Sequence, residues 1–335
     1  MSTTLTKEET TPAVVKTFDD TAHSDLQYAY SAYLPVYDTT TTFPPTEPFD
    51  HRDRGLNADK SKPHLFQTGG PAVSITKLTP RVGSEVRGLQ LSQLSDRGVV
   101  VFRDQDFKDI GPEKQKEFAS YFGRLHVHPV EAHVKDHIEF HHIYLGADNL
   151  YRLQTRLTKL SKTGYHSDVV PSSGCDTAWV SRVAAYERLS DSIKRLLEGL
   201  GAEHSGFPQA ERARADGKFV RREPMRSEHP VVRVHPVTGE KALFVNPGFT
   251  KRIIGLKDEE SVAILQLLFK HVSLSQDIQV RVKWDNRTVS LWDNRVTAHT
   301  AISDYDTSTD GLRHGNRLTT LGEKPVGVDG LETVW

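Results

Sequence analysis

Short apolar segments separated by polar turns run through the chain from Pro71 onward and predict many short strands. Residues 99–103 begin with four consecutive apolar side chains, which predict a strand buried on both faces. Residues 278–284 alternate apolar and polar side chains, the period of a half-buried strand. Further strands are predicted at residues 73–78, 138–145, 177–182, 242–245, 288–292 and 317–321.

Helices are predicted at residues 112–122, 184–200 and 258–271. The first has Pro112 near its first turn, where proline is tolerated. The second is predicted as one amphipathic helix that Gly201 ends, with an apolar face formed by Leu189, Ile193, Leu196, Leu197 and Leu200. Many short strands with few helices predict a mainly β fold with flanking helices, either a barrel or a jelly roll.

Residues 1–70 differ from the rest of the chain because they lack any sustained helical or strand period. We expect an extended N-terminal arm here, partly ordered by tyrosines that pack on the main body: Tyr28, Tyr30, Tyr33 and Tyr37. The predicted organisation is an arm at residues 1–70 followed by one domain at residues 71–335.

Composition narrows the class of protein. Lys and Arg number 43 and Asp and Glu 44, so the net charge of −1 lacks the basic excess of proteins that bind nucleic acids or anionic membranes. The apolar stretches are far shorter than the roughly 20 residues that span a bilayer, and the polar start has no signal-peptide core. Cys175 is the single cysteine, which excludes an intrachain disulfide and predicts a cytoplasmic protein.

Sixteen histidines and one cysteine direct the search for a metal site to imidazole and carboxylate ligands. The pattern His-x-Asp puts two such ligands on one side of a strand, and it occurs at His23 with Asp25 and at His166 with Asp168. The first pair lies in the polar arm, where a solvated loop explains it. The second pair lies where a strand is expected to enter the core, yet spacing alone favours a structural role there too.

The downstream sequence adds a second motif. The segment from Leu291 to His299 contains Trp-Asp-Asn-Arg, and Arg313 and Arg317 follow it. Together with the upstream His-x-Asp, this order resembles the taurine/2-oxoglutarate dioxygenase family, and fungal-type sulfonate dioxygenases in particular. The resemblance extends over roughly residues 73–325, with further matches at residues 122–129, 176–177, 235–239 and 244–250.

The resemblance implies a double-stranded β-helix, the jelly-roll core, with three groups of site residues. The implied Fe(II) ligands, which form the catalytic centre, are His166, Asp168 and His299. The implied 2-oxoglutarate site contains Thr177, Trp284 and Arg313. The implied substrate site, which holds a sulfonate by an Arg and a His, contains His128, Val169, Phe249 and Arg317.

The activity implied by the resemblance is oxidation of an alkanesulfonate at the carbon next to sulfur, with release of sulfite and an aldehyde. The partners are then a small anionic substrate, 2-oxoglutarate and dioxygen, without nucleic acid or membrane, and a homo-oligomer stays open. One alternative is the same chemistry on an alkyl sulfate or an anionic carboxylate. Another is a non-catalytic relative that binds a ligand.

Several of these residues have simpler interpretations. Taken alone, Arg317 is better explained as an arginine in a surface ion pair. Trp284 and Trp292 are typical core aromatics, and Asp293 and Arg295 are expected to pair with neighbours. We also expect a solvated charged turn at Arg221 and Arg222, and structural or solvent-facing roles for the remaining histidines of the region: His126, His137, His141 and His142.

The chain also departs from the family pattern. Glu131 and Lys162 replace an aromatic residue and an amide near the substrate amine, so we expect tolerance of several alkyl tails rather than selection of taurine. Cys175 stands where the family has glycine. About a dozen residues are missing between Asp96 and Arg97, the usual length of a helix. About sixteen are missing between Val169 and Pro171, more than one whole strand.

Overall fold

The computed structural model describes residues 16–17, 33–47, 49–58, 73–88, 98–130, 133–145, 160–306 and 308–334. For residues 16–17, 37, 144–145 and 160–168 it describes the backbone alone. Tyr28, Tyr30, Glu131 and the missing segment between Asp96 and Arg97 lie outside the described residues, as does the side chain of Lys162.

Strands dominate the described part of the chain. Numbered in chain order, they are β1 (Lys16–Thr17), β2 (Pro35–Tyr37), β3 (Ser74–Lys77), β4 (Ser84–Arg87), β5 (Val99–Phe102), β6 (His133–Val134), β7 (His137–Leu145), β8 (Leu160–Val169), β9 (Thr177–Ser181), β10 (Gly201–Ser205), β11 (Arg226–Pro230), β12 (Val232–Val234), β13 (Lys241–Leu243), β14 (Thr250–Ile253), β15 (Gln279–Val282), β16 (Val289–Asp293), β17 (Thr297–Ala301) and β18 (Arg313–Leu321). The α-helices are α1 (Pro112–Ser120), α2 (Arg182–Glu187), α3 (Asp191–Glu198), α4 (Phe207–Ala215) and α5 (Asp258–Leu274).

Two of the sheets carry the architecture. The larger has ten strands in the order β1-β2-β6-β7-β18-β8-β16-β5-β4-β3, and the smaller has three in the order β15-β9-β17. Neighbours pair antiparallel except β4 with β5, which are parallel. Two small sheets, β11-β10-β14 and β12-β13, complete the described strands. The mainly β fold predicted from the sequence is therefore confirmed.

The space between the two main sheets is filled by apolar side chains. Val99, Val101 and Trp292 from the larger sheet meet a cluster on the smaller sheet, formed by Trp179, Val280 and Val282. The alternation predicted for residues 278–284 produces this contact, since Val280 and Val282 are buried while Arg281 is exposed. Two antiparallel sheets packed face to face in this way form the predicted jelly roll.

Helices cover the outer faces of the sandwich. Apolar side chains of α2, α3 and α5 pack against Val180 and Ala298, on the outer face of the smaller sheet. Phe118 of α1 packs against the outer face of the larger sheet, next to Val289 and Leu291. The start of α1 has Pro112 at its first position, as predicted. At the start of α5, the Glu260 carboxylate accepts a hydrogen bond from the backbone N–H of Lys257 at 2.9 Å.

The single helix predicted at residues 184–200 is wrong, because two helices occupy this stretch. Ser190 begins α3 as its N-cap, and its hydroxyl accepts a hydrogen bond from the backbone N–H of Ile193 at 3.5 Å. Within α3, Leu197 is buried while Leu196 is 44% exposed. Gly201 belongs to β10.

Part of the N-terminal arm is packed on the body. Tyr33 is buried against Phe140, as predicted, and β2 extends the larger sheet by pairing with β6. The Arg222 side chain donates hydrogen bonds to the backbone carbonyls of Pro44 and Val127, both at 3.1 Å. Arg221 is buried as well, so the solvated charged turn predicted there is wrong. The division into an arm at 1–70 and a domain at 71–335 stays a prediction.

Candidate active site

Histidine 299 lies on β17, opposite Trp179 of β9, at the edge of the inter-sheet core. Its ring centroid is 5.1 Å from that of Trp292 and 6.4 Å from that of Trp179. Its Nδ1 has no hydrogen-bond partner among the described residues. Burial, reinforced by the positive charges of Arg317 and Arg182, lowers the pKa of His299 to about 3. The ring is therefore neutral at pH 7, the form in which imidazole ligates a metal.

The backbone of β8 carries the other two predicted ligands, His166 and Asp168. In the central ladder of the larger sheet, position 166 is paired with Val289 on one side and Asn316 on the other. Val289 packs in the layer beneath α1, and Asn316 contacts His142, whose Nδ1 is 3.0 Å from the amide oxygen. His166 and Asp168 lie on one sheet and His299 on the other, so the metal triad stays a prediction.

Two of the residues predicted to bind 2-oxoglutarate are in direct contact with each other. The indole Nε1 of Trp284 donates a hydrogen bond to the Thr177 hydroxyl at 3.0 Å, and both residues are buried. Arg313 is also buried and lies close enough to Tyr305 for its positive charge to act on the hydroxyl of that residue. Tyr305 and Trp284 belong to the same apolar cluster between the sheets. The structure thus places a buried guanidinium in the region of the Trp284–Thr177 pair.

The turn before Thr177 is fixed by ion pairs. Arg281 bonds to the carboxylates of Asp176 at 2.5 Å and Asp304 at 2.7 Å. The backbone N–H of Cys175 donates to Asp304 at 3.0 Å. Burial raises the pKa of the Cys175 thiol to about 11, so the group is a neutral thiol and a poor nucleophile at pH 7. The cysteine that departs from the family pattern is therefore a packed core side chain.

The predicted anion site is a buried histidine and arginine cluster. Arg317 is 8% exposed, so the surface ion pair considered for it from the sequence is wrong. Its register partner on β7 is His141, whose ring centroid is 4.4 Å from that of His128. The backbone N–H of Val130 donates to Nδ1 of His128 at 3.2 Å and fixes that ring. His141 thereby connects the two residues that the resemblance assigns to a sulfonate.

A further member of this cluster is His126, which was expected to have a structural or solvent-facing role. Its ring centroid is 6.2 Å from that of His128. Burial and the charges of Arg222 and Arg317 lower its pKa to about 3. The spacing His126-x-His128 places both rings on one side of an extended segment, which was the available sequence signal.

A cavity of about 500 Å³ adjoins these residues. Phe249, predicted for the substrate pocket, lines it, as do His126, Arg182, Phe244 and Asn246. Residues of the N-terminal arm close one side: Thr46, Glu47, Phe49 and Asp50. Val169 lies at the end of β8, opposite His314.

Among the described residues, one group of side chains has metal-ligand geometry: His51, Asp53 and Glu323. Arg295 occupies both of its carboxylates, at 2.7 Å from Asp53 and 3.0 Å from Glu323. Arg295 also pairs with Asp293 at 2.5 Å, which confirms the expected pairing of these two residues with neighbours. The group is explained as an ion-pair network.

Two packed, largely antiparallel sheets beside a buried cluster of histidine and arginine form a jelly-roll architecture with a candidate anion site. The chain belongs to the family described as "Taurine catabolism dioxygenase TauD, TfdA family", whose model matches residues 68–319. It is therefore an oxidoreductase of the 2-oxoglutarate-dependent dioxygenase class.

Individual relatives agree with this assignment. An alpha-ketoglutarate-dependent sulfonate dioxygenase of Saccharomyces cerevisiae is 34% identical over 326 residues, covering 89% of this chain and 79% of the relative. An alpha-ketoglutarate-dependent sulfate ester dioxygenase of Pseudomonas putida is 33% identical, covering 80% of this chain and 94% of the relative. The crystal structure of a taurine dioxygenase from Burkholderia xenovorans is 31% identical with a TM-score of 0.63, covering 79% of this chain and 96% of the other.

Across the described ranges, no helix is both long and apolar enough to cross a membrane.

Proposed function

We propose that the protein is an Fe(II)- and 2-oxoglutarate-dependent dioxygenase that oxidises alkanesulfonates at the carbon next to sulfur. The observation that carries the proposal is the buried Arg317, joined to His128 through His141 and close enough to His299 to lower its pKa. A buried arginine with adjacent imidazoles suits a tetrahedral oxyanion, because both groups donate hydrogen bonds to its oxygens.

The proposed iron ligands are His166, Asp168 and His299. His299 fits this role because its ring is neutral and its buried Nδ1 has no hydrogen-bond partner among the described residues. Iron(II) bound with 2-oxoglutarate would supply oxidation by dioxygen coupled to release of carbon dioxide and succinate.

The proposed 2-oxoglutarate site uses Arg313, Thr177 and Trp284. A guanidinium binds a carboxylate with two parallel hydrogen bonds, and Arg313 is buried where water competes little for them. Trp284 donates to the Thr177 hydroxyl, which leaves the hydroxyl hydrogen free to point elsewhere. We infer that this hydrogen is donated to the same carboxylate.

The chain's own residues would then orient the substrate. Arg317 and His128 would hold the sulfonate, Phe249 and Val169 would pack on the alkyl chain, and the carbon next to sulfur would face His299. Oxidation of that carbon gives a 1-hydroxysulfonate, which loses sulfite and leaves an aldehyde. The substrate is a small anion, and the single Cys175 fits a reducing, cytoplasmic setting.

A second candidate is the same oxidation on an alkyl sulfate. The relative from Pseudomonas putida is named for sulfate esters, and a sulfate presents the same three terminal oxygens to an arginine as a sulfonate does. A non-catalytic relative is the remaining alternative, which the short connection between β8 and β9 favours.

The test is turnover by the purified full-length protein with Fe(II), 2-oxoglutarate, dioxygen and a panel of short alkanesulfonates. We expect sulfite and succinate in equal amounts, and Arg317→Ala should suppress sulfite across the whole panel. Succinate formation stimulated only by alkyl sulfates or carboxylates would overturn the sulfonate assignment. No iron-dependent succinate with any compound would overturn the enzymatic one.

The metal ligands are tested separately by Asp168→Ala, which should abolish iron binding and turnover. The matched control is the double variant His23→Ala with Asp25→Ala, which removes the other His-x-Asp pair and should behave as wild type. Wild-type turnover with bound iron in Asp168→Ala would show that the triad is assigned to the wrong residues.

A further inference from the structure

Arg182, the first residue of α2, is a buried cation that the proposed mechanism does not use. It is 2% exposed, and it follows directly from β9, where its backbone N–H donates to the carbonyl of Val296 at 2.8 Å. Its guanidinium carbon lies 5.6 Å from the ring centroid of Phe244, which holds the group over an aromatic face.

The Arg182 guanidinium has few hydrogen-bond partners among the described residues for a buried charged group. Its Nη2 makes a long contact of 3.5 Å with the carbonyl of Val245, and Nε has no partner among the described residues. Burial lowers the pKa of Arg182 to about 9, and the nearby positive charge of Arg233 contributes to this shift. Arg182 therefore stays protonated at pH 7, and no carboxylate of the described residues pairs with it, an arrangement that is costly unless a ligand supplies an anion.

The position of Arg182 gives it access to a ligand. It lines the cavity of about 500 Å³ together with Phe249 and His126. The His126 ring on this cavity wall is 6.2 Å from the ring of His128, so the cavity reaches the proposed sulfonate site. His126 is also close enough to Arg317 for the positive charge of Arg317 to lower the pKa of His126.

The acidic residues of the cavity do not neutralise Arg182. Glu323 is paired with Arg233 at 2.5 Å and with Arg295. Glu223 is paired with Arg214 at 2.8 Å and is exposed, as are Glu47 and Asp50. The carboxylates are thus committed elsewhere or lie in solvent, while the interior wall carries an unbalanced positive charge.

We propose that Arg182 binds a second anionic group of the substrate, so that the preferred substrates are short alkanesulfonates with a carboxylate at the far end. This inference rests on the proposed function, because the proposed function places the sulfonate end of the substrate at Arg317 and His128. Taurine presents an ammonium group at that far end and would be repelled by Arg182. Phe249 lines the same cavity, and the short alkyl spacer between the two anions would pack on it.

The test compares three compounds that differ only at the far end: 3-sulfopropanoate, propane-1-sulfonate and taurine. Binding to the full-length, iron-free protein is measured by titration calorimetry, and sulfite release is measured with the iron-loaded enzyme. We expect 3-sulfopropanoate to bind about tenfold to a hundredfold more tightly than propane-1-sulfonate, the usual range for a hydrogen bond to a charged group. Taurine should bind most weakly.

The variant Arg182→Gln should remove this preference and leave binding of propane-1-sulfonate within about threefold of wild type, because no partner of that compound is lost. Arg182→Met, which replaces the buried charge by an apolar chain of similar length, gives the same test should the glutamine variant fold poorly. Arg195→Gln, at an exposed site on α3, is the matched control and should keep the preference.

Three outcomes would overturn the inference. Equal affinity of the wild type for 3-sulfopropanoate and propane-1-sulfonate, with sulfite still released, would remove the role of Arg182 and keep the proposed function. A raised 2-oxoglutarate requirement in Arg182→Gln would assign the residue to the cosubstrate. Absence of both binding and sulfite with every sulfonate would remove the inference together with the proposed function.

Discussion

The three buried arginines near the proposed site differ in what surrounds them. Arg313 contacts Tyr305 in the apolar cluster between the sheets. Arg317 lies in a cluster of imidazoles, and Arg182 faces the cavity over Phe244. Because the same functional group is placed in three different settings, each arginine is expected to bind a different anion.

The role of Arg313 is tested by Arg313→Ala. Loss of one partner of a charge-assisted contact costs about 1.5–3 kcal/mol, so we expect the concentration of 2-oxoglutarate needed for half-maximal turnover to rise by about one to two decades. The requirement for sulfonate should change far less. Steady-state kinetics with each compound varied in turn measures the two effects separately.

The matched variant for this experiment is Arg317→Ala, for which the sulfonate requirement should rise instead. An unchanged 2-oxoglutarate requirement in Arg313→Ala, with a raised one in Arg317→Ala, would exchange the roles of the two arginines.

For single residues, the sequence assigned the candidate site residues by motif resemblance, but it did not predict their surroundings. Thr177 and Trp284, assigned to one site by motif resemblance, are in hydrogen-bond contact. The burial of Arg317 could not be predicted, because it depends on β7 and on His141 across the ladder. Arg182 gave no signal at all, since its partners Phe244 and Val245 come from a distant segment.

Among the elements, the break between α2 and α3 separates two helices that share one apolar core. Leu189, Ile193 and Leu200 pack against the same cluster as the fully buried Leu197, so the hydrophobic pattern continues across the break. A pattern that runs through both helices cannot distinguish them from one long helix. The local signal was Ser190 followed by Asp191, a helix N-cap with an acidic residue in the first turn.

The contribution of this cap is tested by Ser190→Ala. The substitution leaves the backbone N–H of Ile193 without its side-chain acceptor, so the free energy of unfolding should fall by about 1 kcal/mol. Ser192→Ala, at an exposed position in the same helix, is the control and should change it by less than about 0.5 kcal/mol. Urea denaturation of both variants measures the difference. Equal stabilities would mean that tertiary packing alone sets the start of α3.

A strand was expected from the sequence near His166 and Asp168, but its length and its partners in the sheet were not predicted. β8 has no apolar alternation along LSKTGYHSDV, yet it pairs with β16 on one side and β18 on the other. Its place in the sheet depends on partners far along the chain, which a local pattern does not contain. By contrast, β5 and β15 were predicted from their own residues, because their buried positions coincide with their apolar side chains.

For the molecule as a whole, the N-terminal arm is fastened to the body beside the cavity. Asp53 accepts a hydrogen bond from the buried Arg295 at 2.7 Å. The backbone N–H of Phe43 donates to the carbonyl of Arg221 at 2.7 Å. The residues between these two attachments form part of the cavity wall. The arm is therefore expected to influence both stability and ligand binding.

The attachment is tested by Asp53→Ala. Arg295 keeps Asp293 and Glu323 but loses one charged partner in a buried site, so the free energy of unfolding should fall by about 1.5–3 kcal/mol. Glu47→Ala, an exposed substitution in the same arm, serves as the control and should be nearly neutral. Equilibrium denaturation gives both values. Equal stability of Asp53→Ala and wild type would mean that the arm adds nothing to the fold.

The position of β8 in the middle of the larger sheet also sets the order in which the chain can fold. β7 and β8 are synthesised before β16 and β18, which pair with the two edges of β8. Until then the early strands expose unpaired backbone groups, which attract other chains. Pairing over such sequence separations is slow because long loops must close first. The nine residues of β18 join β7 to β8, so this part of the larger sheet is complete only after β18 has been synthesised.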